Sequence, residues 1–170
     1  MKKRNLIIIL SIFVVIAAIS GIIIATSVNR SNTSKAYTNA LSSIQGVKYA
    51  QFEVQHPGVT TNNSILVFVV IDIDSKTQVA SAIDGVERAT HEAKIASTYT
   101  LHMYFRSSKD LNPLTVKGMD EDKRRNLFFN KSLNTEEEAI LDEVIGSNKE
   151  IRRTDNELTV SSSYIKEKHQ

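Results

Sequence analysis

Apolar and polar positions along the chain fall into three regimes, and the first dominates. Leu6–Thr26 (LIIILSIFVVIAAISGIIIAT) carries no charge and no proline, and Ser11, Ser20 and Thr26 are its only polar side chains. As a helix rising ~1.5 Å per residue it would be roughly 30 Å long, the thickness of a bilayer's hydrocarbon core. A helix also satisfies its own backbone hydrogen bonds, which lipid cannot do. The pattern predicts a transmembrane signal-anchor at 6–26.

The second regime is periodic. Ala36, Ala40, Leu41 and Ile44 share one helical face over Ala36–Ile44, and Gly46 is a natural stop. Val47–Gln55 then alternates, with Ala50, Phe52 and Val54 opposite Tyr49, Gln51 and Glu53, as in a strand with one wet face. Ile65–Ile73 is apolar without a break until Asp72, which suits a central strand buried on both faces. Asp74 or Ser75 can cap a helix over Lys76–Ala96, whose apolar stripe is Val79, Ile83, Val86, Ala93 and Ile95. Thr98–Arg106 alternates again: Tyr99, Leu101, Met103 and Phe105 face in, and Thr98, Thr100, His102 and Tyr104 face out.

The order α-β-β-α-β predicts an α+β layer with helices on one face of a sheet. Farther on, Leu114–Val116 reads as a short strand and Lys123–Asn130 as a helix. Asn134 caps a helix over Thr135–Ile145, with Glu136, Glu137 and Glu138 at the positive end of its dipole and Gly146 as its stop. A turn at Asp155-Asn156 and the run Leu158–Ile165 suggest a closing strand or hairpin.

The third regime is polar and aperiodic: a tether from Val28 to Lys35, and a loop at Val59–Ser64 after the His56-Pro57-Gly58 break. The expected organisation is therefore a cytoplasmic tail at 1–5, the anchor at 6–26, a tether at 27–35, the α-β-β-α-β core at 36–106, and a helix-strand extension of the same domain at 107–170.

Charge sets direction. Lys2, Lys3 and Arg4 precede the apolar span, whereas the other side begins Ser27-Val28-Asn29-Arg30. Positive residues stay cytoplasmic, so the C-terminal domain is expected outside, as in a single-pass plasma-membrane protein. A cleaved signal peptide is the rival reading, with small-residue sites at Ala18-Ile19-Ser20 and Ala25-Thr26-Ser27. Its apolar core is usually ~7–15 residues, and this span is longer. Both readings place 31–170 beyond the membrane.

Without Lys2, Lys3 and Arg4, 18 basic residues face 19 acidic ones, a charge of −1. A near-neutral domain has no broad field for nucleic acid, so no nucleic-acid partner is expected. Lys123-Arg124-Arg125 directly follows Asp120-Glu121-Asp122, which reads as a solvated mixed-charge face. The absence of cysteine excludes disulfides, thiolate metal sites and a lipid-modified cysteine. Asn29, Asn32, Asn62 and Asn130 begin N-x-S triplets, which are common by chance and receive no role.

Leu41-x-x-Ile44-x-Gly46-Val47-x-x-Ala50-x-Phe52-x-Val54, followed by a loop and an apolar strand, resembles the ring-building modules of bacterial envelope proteins found in sporulation channels, flagellar bases and type III secretion rings. The layout is also similar to that of small sporulation lipoproteins, from which this chain departs in having no cysteine. The likeness covers residues 36–106. It implies an anchored module that packs beside copies of itself or beside partners, and it carries over no functional residues.

Candidate chemistry is sparse. Asp72 and Asp74, on one face of a strand, could bind a divalent cation, but no third acid or calcium-loop glycine accompanies them, and capping explains Asp74. Glu87 and His91 stand one helical turn apart, a two-ligand clip without an H-E-x-x-H motif, and an exposed helix face is the simpler reading. His56 borders a turn and His102 the polar side of a strand, and neither has a Ser and an orienting acid placed beside it by the sequence. No catalytic, cofactor or metal residues are therefore assigned, and no enzyme activity or cofactor is expected. Two function classes remain. One is a non-catalytic interaction or assembly module in the envelope, with the bilayer held through 6–26 and a homo-oligomer or an envelope protein as partner. Its contact surfaces would be the Val59–Ser64 loop and the strand face of Thr98, Thr100, His102 and Tyr104. The other is an envelope ligand-binding sensor or hydrolase with a pocket at His56, Asp72 or Asp74.

Overall fold

The apolar stretch after the His56 turn becomes the second strand of a five-stranded sheet, with a strand on either side of it. A computed structural model describes residues 32–56, 62–130, 132–146 and 148–170. The expected tail and anchor lie outside these residues, as do positions 59–61 of the Val59–Ser64 loop, whose last two residues, Asn63 and Ser64, are strand instead. Among the described residues no helix is long and apolar enough to cross a membrane.

In chain order the elements are α1 (residues 32–42), β1 (Val47–Gln55), β2 (Asn63–Ile71), α2 (Lys76–Ala93), β3 (Tyr99–Ser107), α3 (Pro113–Val116), α4 (Glu121–Phe129), α5 (Thr135–Ile145), β4 (Ile151–Thr154), β5 (Glu157–Ser161) and α6 (Ser162–Lys168). The sheet order is β1-β2-β3-β5-β4. β2 and β3 run parallel, joined by α2, and the other neighbours are antiparallel. The α+β class is as expected, with a mixed sheet. Tyr37–Gln170 form one compact unit.

Local signals explain most boundaries. Gly46 takes φ +84 where α1 gives way to β1, a conformation that costs glycine little. The Ser75 side chain, rather than that of Asp74, accepts from the Gln78 amide to start α2. That helix ends at Ala93 with Lys94 in the left-handed region, three residues short of the expected Ala96. Asn134 and Glu137 form the reciprocal capping box that opens α5.

Several expectations are corrected. Residues 32–35, expected as tether, are helical. Leu114–Val116 is not a strand but part of a helical turn, because Asn112 caps it and Pro113 sits at its first position. The Leu158–Ile165 run divides. Its first part belongs to β5, which pairs with β3, and the Ser161 hydroxyl then caps α6 by accepting from the Tyr164 amide. Within the expected 107–170 extension, β4 and β5 thus join the sheet beside β3.

The largest correction concerns layers. Helices cover both faces of the sheet. One core joins the inward side chains of the strands to Tyr37, Leu41, Val79, Val86, Leu141 and Ile165. On the opposite face Leu66, Phe68, Val70 and Tyr104 are covered by Leu111, Val116 and Phe128. Each such side chain gains about 1.5–3 kcal/mol on burial, so an uncovered β2 outer face would be costly. The mixed-charge run supplies the cover: Arg124 is buried, and Arg124 and Arg125 both bind the carboxylate of Glu53 from the supposed wet face of β1.

Candidate functional site

The acids expected to share a strand face do not. β2 ends at Ile71, and Asp72 and Asp74 lie in the crossing to α2. The Ser108 hydroxyl donates to Asp72, and Lys48 Nζ lies 3.3 Å from it. The Ser108 hydrogen bond, with the lysines behind it, holds the Asp72 carboxyl below its ordinary pKa. Asp74 pairs separately with Lys109 at 2.5 Å. His56 Nδ1 meets Asn63 Oδ1 at 2.6 Å, tying the end of β1 to the start of β2. His102 Nδ1 lies 2.6 Å from Glu157 Oε1 across β3 and β5. None of these residues is brought together with another of the set.

Glu87 behaves differently. Asp84, Glu87 and His91 follow one stripe of α2, at i, i+3 and i+7. The exposed face expected there is wrong for Glu87, whose side chain is 0% exposed. α6 lies against that stripe and delivers Lys168 and His169. Lys168 Nζ stands 2.5 Å from Glu87 Oε2 and 2.9 Å from Asp84 Oδ1. His169 Nε2 is 3.7 Å from the same Glu87 oxygen. Burial alone would lower the Lys168 pKa, and the two carboxylates outweigh it and raise it. Burial would likewise raise Asp84, but Lys168 and its neighbours draw it below its ordinary value.

Three polar atoms of this region have no hydrogen-bond partner among the described residues: Glu87 Oε1, His169 Nε2 and Tyr99 Oη, all buried. Burial, with the charge of Glu87 behind it, raises the Tyr99 phenol pKa. Deeper in, Tyr37 Oη and Thr90 Oγ1 meet at 2.6 Å, and Thr90 also donates to the Val86 carbonyl. His91 does not bond Glu87. Its ring lies 6.4 Å from that of His169, on the wall of an open cleft of about 440 Å³ shared with Lys94, Ser97, Tyr99 and Lys166.

The outer sheet face is the other candidate surface. Phe129 at the end of α4 lies 4.7 Å from Tyr104 and is 45% exposed. Arg106 fixes that end by donating to the Leu127 carbonyl. Beyond it, Thr100, His102, Glu157 and Thr159 are half-buried, and Arg152 and Thr154 are exposed. Of the expected outward set, Tyr104 is buried beneath Phe129, and Thr98 lies before the strand.

Sequence reasoning missed the partners of Glu87 because Lys168 is 81 residues away. The one legible signal was the acidic i, i+3 spacing on α2. Chemically, the cluster holds two carboxylates, an imidazole and an ammonium around a buried charge. The chain matches no family model, no curated protein and no solved structure.

Proposed function

We propose that the chain is a single-pass membrane-anchored extracytoplasmic protein that acts as a non-catalytic interaction or assembly module in the cell envelope. The uncharged Leu6–Thr26 span behind Lys2, Lys3 and Arg4 supports the anchor and its direction. The resemblance of residues 36–106 to ring-building modules supports assembly. The observation that carries the contact reading is the half-covered outer sheet face. Exposed Phe129 forms an aromatic step beside half-buried Thr100, His102 and Thr159 and exposed Arg152, a mixture of aromatic and polar groups suited to an interface. A ligand-binding sensor is the second reading, favoured by the unpartnered atoms around Glu87.

The lack of cysteine makes a clean test. Thr159→Cys on the sheet face and Glu150→Cys on an exposed turn each create a unique thiol. In intact cells a membrane-impermeant maleimide should label Glu150→Cys and spare Thr159→Cys, whereas the purified protein should be labelled at both. Failure to label Glu150→Cys from outside would remove the extracytoplasmic placement. Equal labelling at both sites in cells would remove the covered sheet face.

A further inference from the structure

We propose that Asp84, Glu87 and His169 form a binding site for a divalent transition-metal ion of the zinc class, and that the Lys168 ammonium is the cation such an ion displaces. One donor atom from each of the three residues lies within 4.8 Å of the other two. Carboxylate oxygen with imidazole nitrogen is a donor set that zinc accepts, and three protein ligands leave a fourth position for water.

The burial of Glu87 is what points to a ligand. A carboxylate taken fully out of water needs compensating positive charge and hydrogen bonds for both oxygens. Lys168 supplies charge to Oε2 alone and leaves Oε1 without a partner. His169 Nε2, equally buried, faces the same carboxylate and also lacks a hydrogen bond. An ion between them would engage the imidazole lone pair and the carboxylates together, whereas Lys168 Nζ meets Asp84 Oδ1 and Glu87 Oε2 and leaves His169 Nε2 without a hydrogen bond. Zinc–ligand distances are about 2.0–2.2 Å, so binding would draw the three donors inward and exclude Lys168 from between the two acids. Lys168 can leave: its side chain is 32% exposed.

The site stands apart from the contact reading, since it lies on the α2–α6 side and titrates with free ions. The test uses the full-length chain without a histidine tag, purified in detergent and stripped with chelator. Zinc is titrated in competition with a chromogenic chelator, and cobalt(II) reports coordination through its visible absorption. One zinc should bind per chain. Loss of a ligand should weaken binding at least ~tenfold in His169→Ala and Asp84→Asn, the scale on which even outer-shell changes act. Lys168→Met should bind more tightly than the unaltered chain, and His56→Ala should bind as it does. Because Glu87→Gln alters a fully buried residue, His169→Ala and Asp84→Asn, at the two less buried positions, carry the test. Absence of saturable binding would overturn the proposal, as would equal affinity in these two variants. Unchanged affinity in Lys168→Met would overturn the displacement.

Discussion

Arg124 and Glu53 stand 71 positions apart in the chain, yet Nη2 of the guanidinium lies 2.5 Å from Oε1 of the carboxylate, with the side chains 3% and 5% exposed. Arg125 takes the second oxygen at 2.7 Å, and Arg124 also lies over the Phe68 ring. This cluster fastens α4 across β1 and β2 and closes the second hydrophobic core.

Removing the acid should therefore be severe. Glu53→Leu strands Arg124 in a dry site, and breaking a buried pair from one side costs about 3–5 kcal/mol. Arg124→Met should cost less, since Arg125 still holds Glu53. The double change Glu53→Leu/Arg124→Met should recover much of the loss, because an apolar pair suits the site. Urea unfolding midpoints measure all three. An unshifted midpoint for Glu53→Leu would show that the cluster does not hold α4.

Asn156 is a second long-range tie. Its side-chain amide donates to the Phe105 carbonyl at 3.1 Å and the Phe128 carbonyl at 2.9 Å, linking the β4–β5 turn to β3 and to the end of α4. Asn156→Ala leaves two acceptors unmet and should cost about 1–3 kcal/mol. Asn156→Asp should be worse near neutrality, because a carboxylate would face two carbonyl oxygens. Its folded pKa then lies above the unfolded value near ~3.9, so stability is kept below that pH and falls as pH rises through it. Thermal unfolding of Asn156→Asp between pH 3 and 7 should show this inverse slope.

Gly85 sits inside α2, where alanine would ordinarily gain about 0.5–1 kcal/mol. Here a Cβ would come within 2.8 Å of Ile44 Cγ2. Overpacking of this kind typically costs about 1–3 kcal/mol, so Gly85→Ala should destabilise on balance. Ile44→Ala should make room, so the added cost of Gly85→Ala should vanish or reverse in that background. A double-mutant cycle by denaturant unfolding reads the coupling, and additive effects would contradict the close approach.

Acid should weaken the fold through Asp72. Its folded pKa is lowered, first by the Ser108 hydroxyl and then by Lys48. A depressed carboxylate contributes stability that is present above its unfolded pKa of ~3.9 and is lost as pH falls through the folded value. Asp72→Asn should flatten the decline in urea midpoint below pH ~4, and Ser108→Ala should flatten it in part. A decline as steep in Asp72→Asn as in the unaltered chain would assign acid sensitivity to other groups.

Strand and helix existence was legible wherever period and punctuation agreed. The alternation of Val47–Gln55, the cap at Asn134 and the stops at Gly46 and Gly146 act within a few residues of themselves, so a local reading finds them. The uncharged Leu6–Thr26 span and its leading cations are likewise properties of the sequence alone. The cover on the outer sheet face was not legible. Arg124 looks solvated beside three acids until β1 presents Glu53 to it, and Glu87 looks like surface until α6 arrives with Lys168. Periodicity reports which face of an element is apolar; which distant charge meets a buried one depends on where two segments lie in space. That was decided only when the sheet brought residues 71 and 81 positions apart into contact.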